Sequence, residues 1–315
     1  MMRAMFVASM TLLLAACGGG ADDTAGAEAA ARAEREARAA YEREVRDWRA
    51  GRLERLLRPD GWLSLVGLHW LTPGSTYVGT AKENGTRLSV GPDNIGMLTL
   101  GRDGRARLRL AEGAEVLVDG EPATGEIELI ADTRGKPTVV AFNRGDASFV
   151  LIERAGRYAL RVRNAMARTR TSFPGLDYFD IDPAFRFQAR FEPHPPGKTI
   201  DIVNMLGMVE ATPNPGRVVF EKDGASHSLE ALDEGGGELF FVFADRTSGH
   251  ETYAASRFLY ATPPGPDGVV VLDFNRAYNP PCAFTPYSTC PMPPPENRLD
   301  LRIEAGEKKP LPFPE

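Results

Sequence analysis

The stretch Asp273-Phe-Asn-Arg-Ala-Tyr-Asn-Pro-Pro-Cys-Ala-Phe-Thr-Pro-Tyr-Ser-Thr-Cys-Pro-Met-Pro-Pro-Pro-Glu-Asn-Arg298, which runs on to Glu307, limits the fold more than any other. Each proline removes a backbone donor and fixes φ, so neither a helix nor a central strand can run through it. Disordered proline-rich segments are poor in aromatics and cysteine. This one carries Phe274, Tyr278, Phe284, Tyr287, Cys282 and Cys290. It therefore reads as a long ordered loop, and loops of that length inside a compact domain usually carry function.

Ahead of it the chain reads as mainly β. From residue 62 short apolar or alternating runs are separated by turn pairs, among them Asp103-Gly104, Asp119-Gly120, Ala155-Gly156 and Asp223-Gly224. Phe185, Phe187, Ala189 and Phe191 alternate with Arg186, Gln188 and Arg190, the pattern of a strand with one wet face. Hydrophobic content of 43% and charged content of 25% are ordinary for globular chains. The expected architecture is two packed β-rich subdomains, sandwich or barrel-like, over residues 58–165 and 166–315. An N-terminal helical stalk within residues 18–57 would carry them.

The first 17 residues read as a processing signal. Arg3 is followed by a short apolar run, Phe6 to Leu14, too short to span a bilayer, and then by the lipobox-like Leu14-Ala-Ala-Cys17. The expectation is a lipoprotein with Cys17 lipidated, held in the bacterial cell envelope by that anchor. Gly18 favours the outer membrane if the cell is Gram-negative. Residues 18–24 read as a tether. Residues 25–50 are rich in Ala, Glu and Arg, with Glu28/Arg32, Glu34/Arg38 and Glu42/Arg46 four apart, and predict a helix about 35–40 Å long. Tyr41, Val45 and Trp48 give its second half an apolar stripe, and Gly51 is a place for a kink or an end.

A net charge of −6 and the lack of a basic block argue against a nucleic-acid partner. No nucleophile elbow, zinc-protease helix, phosphate-binding loop or dinucleotide fingerprint is present. His69, in an apolar run, reads as a core or rim residue. His194 and His227 read as surface residues, so with His250 as the fourth histidine no multi-histidine metal centre is expected, and the sequence leaves any cofactor unknown. Cys282 and Cys290 enclose a short loop. In an oxidising compartment they read as a disulfide, with two reduced buried thiols or a pair of metal ligands as the other readings.

Polar residues gather at the expected strand ends. Asp245, Thr247 and His250 follow one strand, and Tyr253 and Arg257 begin the next. Asp273, Asn275, Arg276, Tyr278 and Asn279 follow a third, while Glu296, Asn297 and Arg298 precede a last one, with Glu304 and Glu307 in or just after it. If these ends meet, they wall a pocket for a small polar molecule, with Asp245, Asp273 and Glu296 as candidate acid, base or metal-binding groups. The same residue types also cap turns and tie loops together. Three functions follow: binding of a small polar molecule, hydrolysis by the carboxylates of the same pocket, or an envelope scaffold for a protein partner not named by the sequence.

Asp273-Phe-Asn-Arg-Ala-Tyr-Asn-Pro-Pro-Cys-Ala-Phe284, Cys290-Pro, Glu296-Asn-Arg-Leu299 and Ala305-Gly-Glu-Lys308 are similar to the signature of the bacterial DUF1684 family. Gly61-Trp-Leu-Ser-Leu-Val-Gly-Leu68 and Asp245-Arg-Thr-Ser-Gly-His-Glu-Thr-Tyr253 fit the same pattern. The resemblance spans roughly residues 48–308 and implies that these motifs belong to one unit, but it carries no established activity. The first β-rich region also faintly resembles a forkhead-associated sandwich, without the residues that read phosphothreonine in that family.

Overall fold

The computed structural model describes residues 20–313, with side chains from residue 26. Cys17 and the expected signal lie outside the described residues. The chain divides into two units, residues 1–44 and 45–315. In the first, the described part is helical, and the i,i+4 pairs Arg32–Glu36 (2.8 Å) and Arg38–Glu42 (3.1 Å) lie on its exposed surface. The helix runs Gly20–Leu57. It thus begins inside the expected tether and passes through Gly51 without ending. Among the described residues no helix is long and apolar enough to cross a membrane.

The second unit is mainly β. Its first half holds a six-stranded sheet, in the order Leu65–Trp70, Arg157–Asn164, Ala147–Arg154, Val139–Phe142, Leu117–Val118, Glu121–Pro122. A five-stranded sheet follows the order Thr86–Arg87, Gly74–Gly79, Gly96–Leu100, Ala106–Leu110, Glu126–Leu129. Val140, Phe142, Phe149, Leu151, Leu160 and Val162 from the first sheet share one core with Val78, Leu98, Leu108 and Leu129 from the second. That is a sandwich. Two-residue turns set its registers. Asp119 and Gly120 take φ of 51° and 95°, and Ala155 and Gly156 take 47° and 72°, the left-handed pair that matches strand twist.

The second half is a six-stranded antiparallel half-barrel, in the order Arg257–Ala261, Leu239–Phe243, Ala225–Asp233, Gly216–Lys222, Arg186–Pro193, Val269–Asp273. Its two edge strands both feed one core, through Leu259 on one side and Val270 and Leu272 on the other, together with Phe220, Phe241, Phe243 and Phe274. Phe187, Ala189 and Phe191 face that core while Arg186 and Arg190 are exposed, as the alternation requires.

Two strand expectations fail. The strand after Phe243 starts at Arg257 rather than Tyr253, because the Thr247 carbonyl accepts the N–H groups of His250, Glu251 and Thr252 and winds that segment into turns. No strand follows Val269–Asp273 among the described residues. Instead residues 274–308 wrap the half-barrel as ordered coil with three single-turn 3-10 helices, Phe274–Arg276, Pro281–Ala283 and Pro295–Asn297. Isolated bridges hold it: Tyr278 to Phe258, Pro291 to Asn204, Arg298 to Ala244 and Glu307 to Tyr178.

Candidate functional site

Most residues expected to wall one pocket instead fasten this wrap at separate points. Asp245 and Arg257 form an ion pair at 3.0 Å with both side chains fully buried. The carboxylate also accepts from the Thr247 N–H (3.0 Å), the Thr247 hydroxyl (2.5 Å) and the Ile303 N–H (3.0 Å). Arg257 donates to the carbonyls of Ile303 and Ala305. A carboxylate has about four acceptor sites, so Asp245 has none left for a substrate.

Asn275 forms a second clip. It exchanges hydrogen bonds with the backbone of Asp182 and donates to Asp273 Oδ1, while Arg276 lies 3.5 Å from Asp273 Oδ2. Asn297 forms a third, accepting from the Glu230 N–H (2.7 Å) and donating to the carbonyls of Glu230 and Val242. In a fourth, Glu307 accepts from the Asn279 N–H (2.8 Å) and pairs with Arg52, whose guanidinium also covers the Tyr278 ring. Arg52 lies on the helix and carried no sequence signal for this role.

Glu296, Arg298 and Glu304 are exposed, and Glu304 pairs with Arg302. Tyr253 is half-buried and its hydroxyl donates to the Cys282 carbonyl. The expectation of a single pocket lined by Asp245, Asp273 and Glu296 is therefore corrected: the first is saturated, the second belongs to the Asn275 clip and the third is on the surface. His194 also differs from expectation. It is largely buried, with Nε2 2.7 Å from Glu230 Oε2.

Sequence reading missed the outer face of the six-stranded sheet. Side chains alternate along Arg157–Asn164, with Leu160 and Val162 in the sandwich core, which sends Ala159, Arg161 and Arg163 to the other face. There Ala159 packs with Leu68, Trp70, Val150 and Ile152. Arg161 is 5% exposed, and its Nε is buried without a hydrogen-bond partner. Arg163 Nε is likewise unpaired. Among the described residues no carboxylate sits within ion-pair range of either, and the Trp62 ring lies 5.4 Å from the Arg161 guanidinium. Burial first, then the neighbouring charges of Arg154 and Arg163, pull Arg161 down to about 10.

The C-terminal coil places its cysteines in electrostatic reach of Arg161. Both cysteines are free in this structure, and the backbone N–H of each donates to the sulfur of the other. The Cys282 N–H donates to Cys290 Sγ (3.0 Å), and the Cys290 N–H donates to Cys282 Sγ (3.3 Å). Nearby, a cavity of about 370 Å³ is lined by Val66, Leu68, His69, Arg87, Ser89 and Tyr287. His69 Nε2 is buried there without a partner, and burial lowers its pKa. Among the described residues no three acids, histidines or cysteines gather as a metal site.

Residues 171–308 match the model of a family described as "Protein of unknown function (DUF1684)". The match supports DUF1684 membership. It ends at the Lys308 of the sequence motif but starts well after Gly61–Leu68. An uncharacterized protein of Haloarcula marismortui, solved in solution by NMR, is 32% identical over 44% of this chain and 78% of its own, with a TM-score of 0.37. No curated protein matches the chain. The DUF1684 segment thus contains three of the clips whole, the Glu307 side of the fourth and the cysteines, whereas Arg52, Arg161, Arg163, Trp62 and the cavity-lining strand precede it.

Proposed function

We propose that this protein binds a small anionic molecule, one bearing a phosphate or carboxylate group, at Arg161 and Arg163. The observation that carries the reading is the burial of the Arg161 guanidinium with its Nε unbonded, the carboxylate that acts on it, Asp132, being paired directly with Arg154 instead. Removing a charge from water costs several kcal/mol unless a partner compensates. Uncompensated buried charges collect at functional sites. An anion there would accept the unused N–H donors in the forked geometry that suits carboxylate and phosphate. Trp62 supplies an apolar wall.

The pocket expected from Asp273 and Glu296 gives way to this one, while the class of ligand stays within the small polar molecules anticipated from sequence. We also propose that the protein is an envelope lipoprotein tethered through Cys17, which the Leu14-Ala-Ala-Cys17 pattern supports. Incorporation of labelled palmitate that disappears in Cys17→Ser tests the tether.

The binding test is thermal unfolding and calorimetric titration with inorganic phosphate, sulfate and simple phosphate esters at constant ionic strength. A ligand that binds only the folded state stabilises it by about 2.7 kcal/mol at a hundred times its Kd. Saturable stabilisation is expected, lost in Arg161→Met and weakened in Arg163→Met. An equal response in wild type and both variants is ordinary salt action and removes the proposal.

A further inference from the structure

The two cysteines are arranged for chemistry that anion binding does not use. Cys282 is partly exposed at the Pro281–Ala283 turn, and Cys290, eight residues on, is buried. Cys282 Sγ accepts from the Ser288 hydroxyl at 3.0 Å and from the Cys290 N–H at 3.3 Å, and the positive charge of Arg161 reaches it. Every one of these contacts favours a negative sulfur at position 282. Cys290 Sγ accepts the Cys282 N–H, lies against Ser288 and is buried, and the charge of Arg161 reaches it as well. Cys282, the less buried of the two and the one whose sulfur accepts the Ser288 hydroxyl, is thus the better placed to react, with Cys290 beside it.

We propose that Cys282 and Cys290 form a dithiol that reduces small hydroperoxides, with Cys282 as attacking sulfur and Cys290 as resolving sulfur. The Cys282 thiolate attacks the terminal oxygen of the peroxide. The S–O bond forms, the O–O bond breaks, and the departing alkoxide or hydroxide takes a proton from water. Unused N–H donors of Arg161 stabilise the charge that grows on the departing oxygen. Cys290 then gives up its proton and attacks the sulfenic sulfur of Cys282. An S–S bond forms and hydroxide leaves, taking up that proton as water. Two thiols lose two electrons, and the peroxide becomes an alcohol and water.

A hydroperoxide suits the site because Cys282 is partly covered, so a small oxidant reaches it more readily than a protein disulfide does. The pKa pattern agrees with the geometry. The Cys290 hydrogen bond, followed by Ser288 and the Arg161 charge, outweighs burial and pulls Cys282 down to about 6, while the same pairing and burial push Cys290 up. The pairing thus favours thiolate, the form that reacts, at Cys282 rather than at Cys290.

The test treats the reduced full chain with hydrogen peroxide at neutral pH and follows intact mass and thiol count. Wild type is expected to lose two hydrogens, with peptide mapping placing one Cys282–Cys290 link. Cys290→Ser should stop at the gain of one oxygen on Cys282, trapped by dimedone, and Cys282→Ser should stay unchanged. The rate in the folded wild type should exceed that of the urea-unfolded chain by roughly tenfold, given the larger thiolate fraction. This last comparison needs no variant and so survives any that misfold. A folded chain that oxidises no faster than the unfolded one, or a folded Cys282→Ser that still oxidises at Cys290, overturns the proposal.

Discussion

Arg52 and Glu307, 255 positions apart in sequence, meet with Nε 3.0 Å from Oε1, and both side chains are buried. The pair joins the helix to the far end of the DUF1684 segment; the Asn279 carbonyl accepts from Arg52, while the Asn279 N–H and the Tyr178 hydroxyl donate to Glu307. Leaving either charge alone in that setting costs about 3–5 kcal/mol. Arg52→Met and Glu307→Gln should each lower stability by that order in urea unfolding. The double variant should lose much less than their sum, since no charge is then stranded.

Arg161→Met should act in the opposite direction. Burial pulls the folded pKa down to about 10, well below that of a free guanidinium, so folding disfavours its charged form at neutral pH. Stability in the wild type should therefore rise as pH climbs above about 10, because the unfolded chain keeps the proton longer. Replacing Arg161 by an apolar chain of similar length should stabilise the protein by on the order of 1–3 kcal/mol at pH 7. Denaturant midpoints of the two proteins check the sign.

Alkylation offers a pH test of Cys282. Its ordinary value is 9.0, and the hydrogen bonds together with Arg161 bring it to about 6. Iodoacetamide should label Cys282 at a nearly constant rate above pH 7. The rate should fall about tenfold per pH unit well below 6, as thiolate converts to thiol. In Ser288→Ala the midpoint should move upward, and a midpoint left near 9 in the wild type would contradict the assigned environment.

Asn297 should be costly to truncate although it touches no ligand. Its amide satisfies the Glu230 N–H and the carbonyls of Glu230 and Val242 from a fully buried position. Asn297→Ala strands those groups, at about 1–3 kcal/mol for each one that water fails to reach. Asn297→Asp keeps the acceptor but loses the donors, and should be no better. Chemical denaturation of both variants measures the loss.

Two glycines with nearly equal φ should respond very differently to alanine. At Gly306, φ 81°, an added Cβ would fall 2.4 Å from the Ala277 carbonyl oxygen, so the coil must move. At Gly156, φ 72°, it would meet open space, and the cost is the left-handed conformation alone, about 1–2 kcal/mol. Gly306→Ala should be the more damaging by a clear margin in thermal unfolding.

The local rules were legible in the sequence because they are local. Asp119-Gly120, Ala155-Gly156 and Asp223-Gly224 announce turns through residues that tolerate positive φ, and all three occur as hairpin turns. The alternation of Phe187, Ala189 and Phe191 announces a half-buried strand. The order of the proline-rich coil was legible through its aromatics: Tyr278 meets Phe258 edge to face, and Phe284 meets Phe173.

Partnership between distant residues was not legible. Asp245, Asn275, Asn297 and Glu307 have the residue types of an active site, but nothing local distinguishes a carboxylate that will be saturated by Thr247 and Ile303 from one that will face a substrate. Arg161 and Arg163 were passed over for the converse reason. Arginine at every second position looks like a solvated strand face until another part of the chain covers it. Gly51 shows the same limit on a smaller scale: its poor helix propensity is overridden where Val45, Arg52 and Leu56 are buried on the same helix.

The clip between Arg52 and Glu307 also sets an order on synthesis. A chain emerging from the ribosome can complete the sandwich once residue 164 is out, because that core draws on residues 66–162. Arg52 must wait in the emerging helix with its charge unmatched until residue 307 follows, roughly ten to fifty seconds later at about 5–20 residues per second. During that interval the half-barrel lacks its wrap, and Phe243, Phe274 and Ile303 have no finished core to share. A premature stop in the last few dozen codons would therefore leave a well-folded sandwich joined to an open, apolar half-barrel, the form a quality-control protease is best placed to remove.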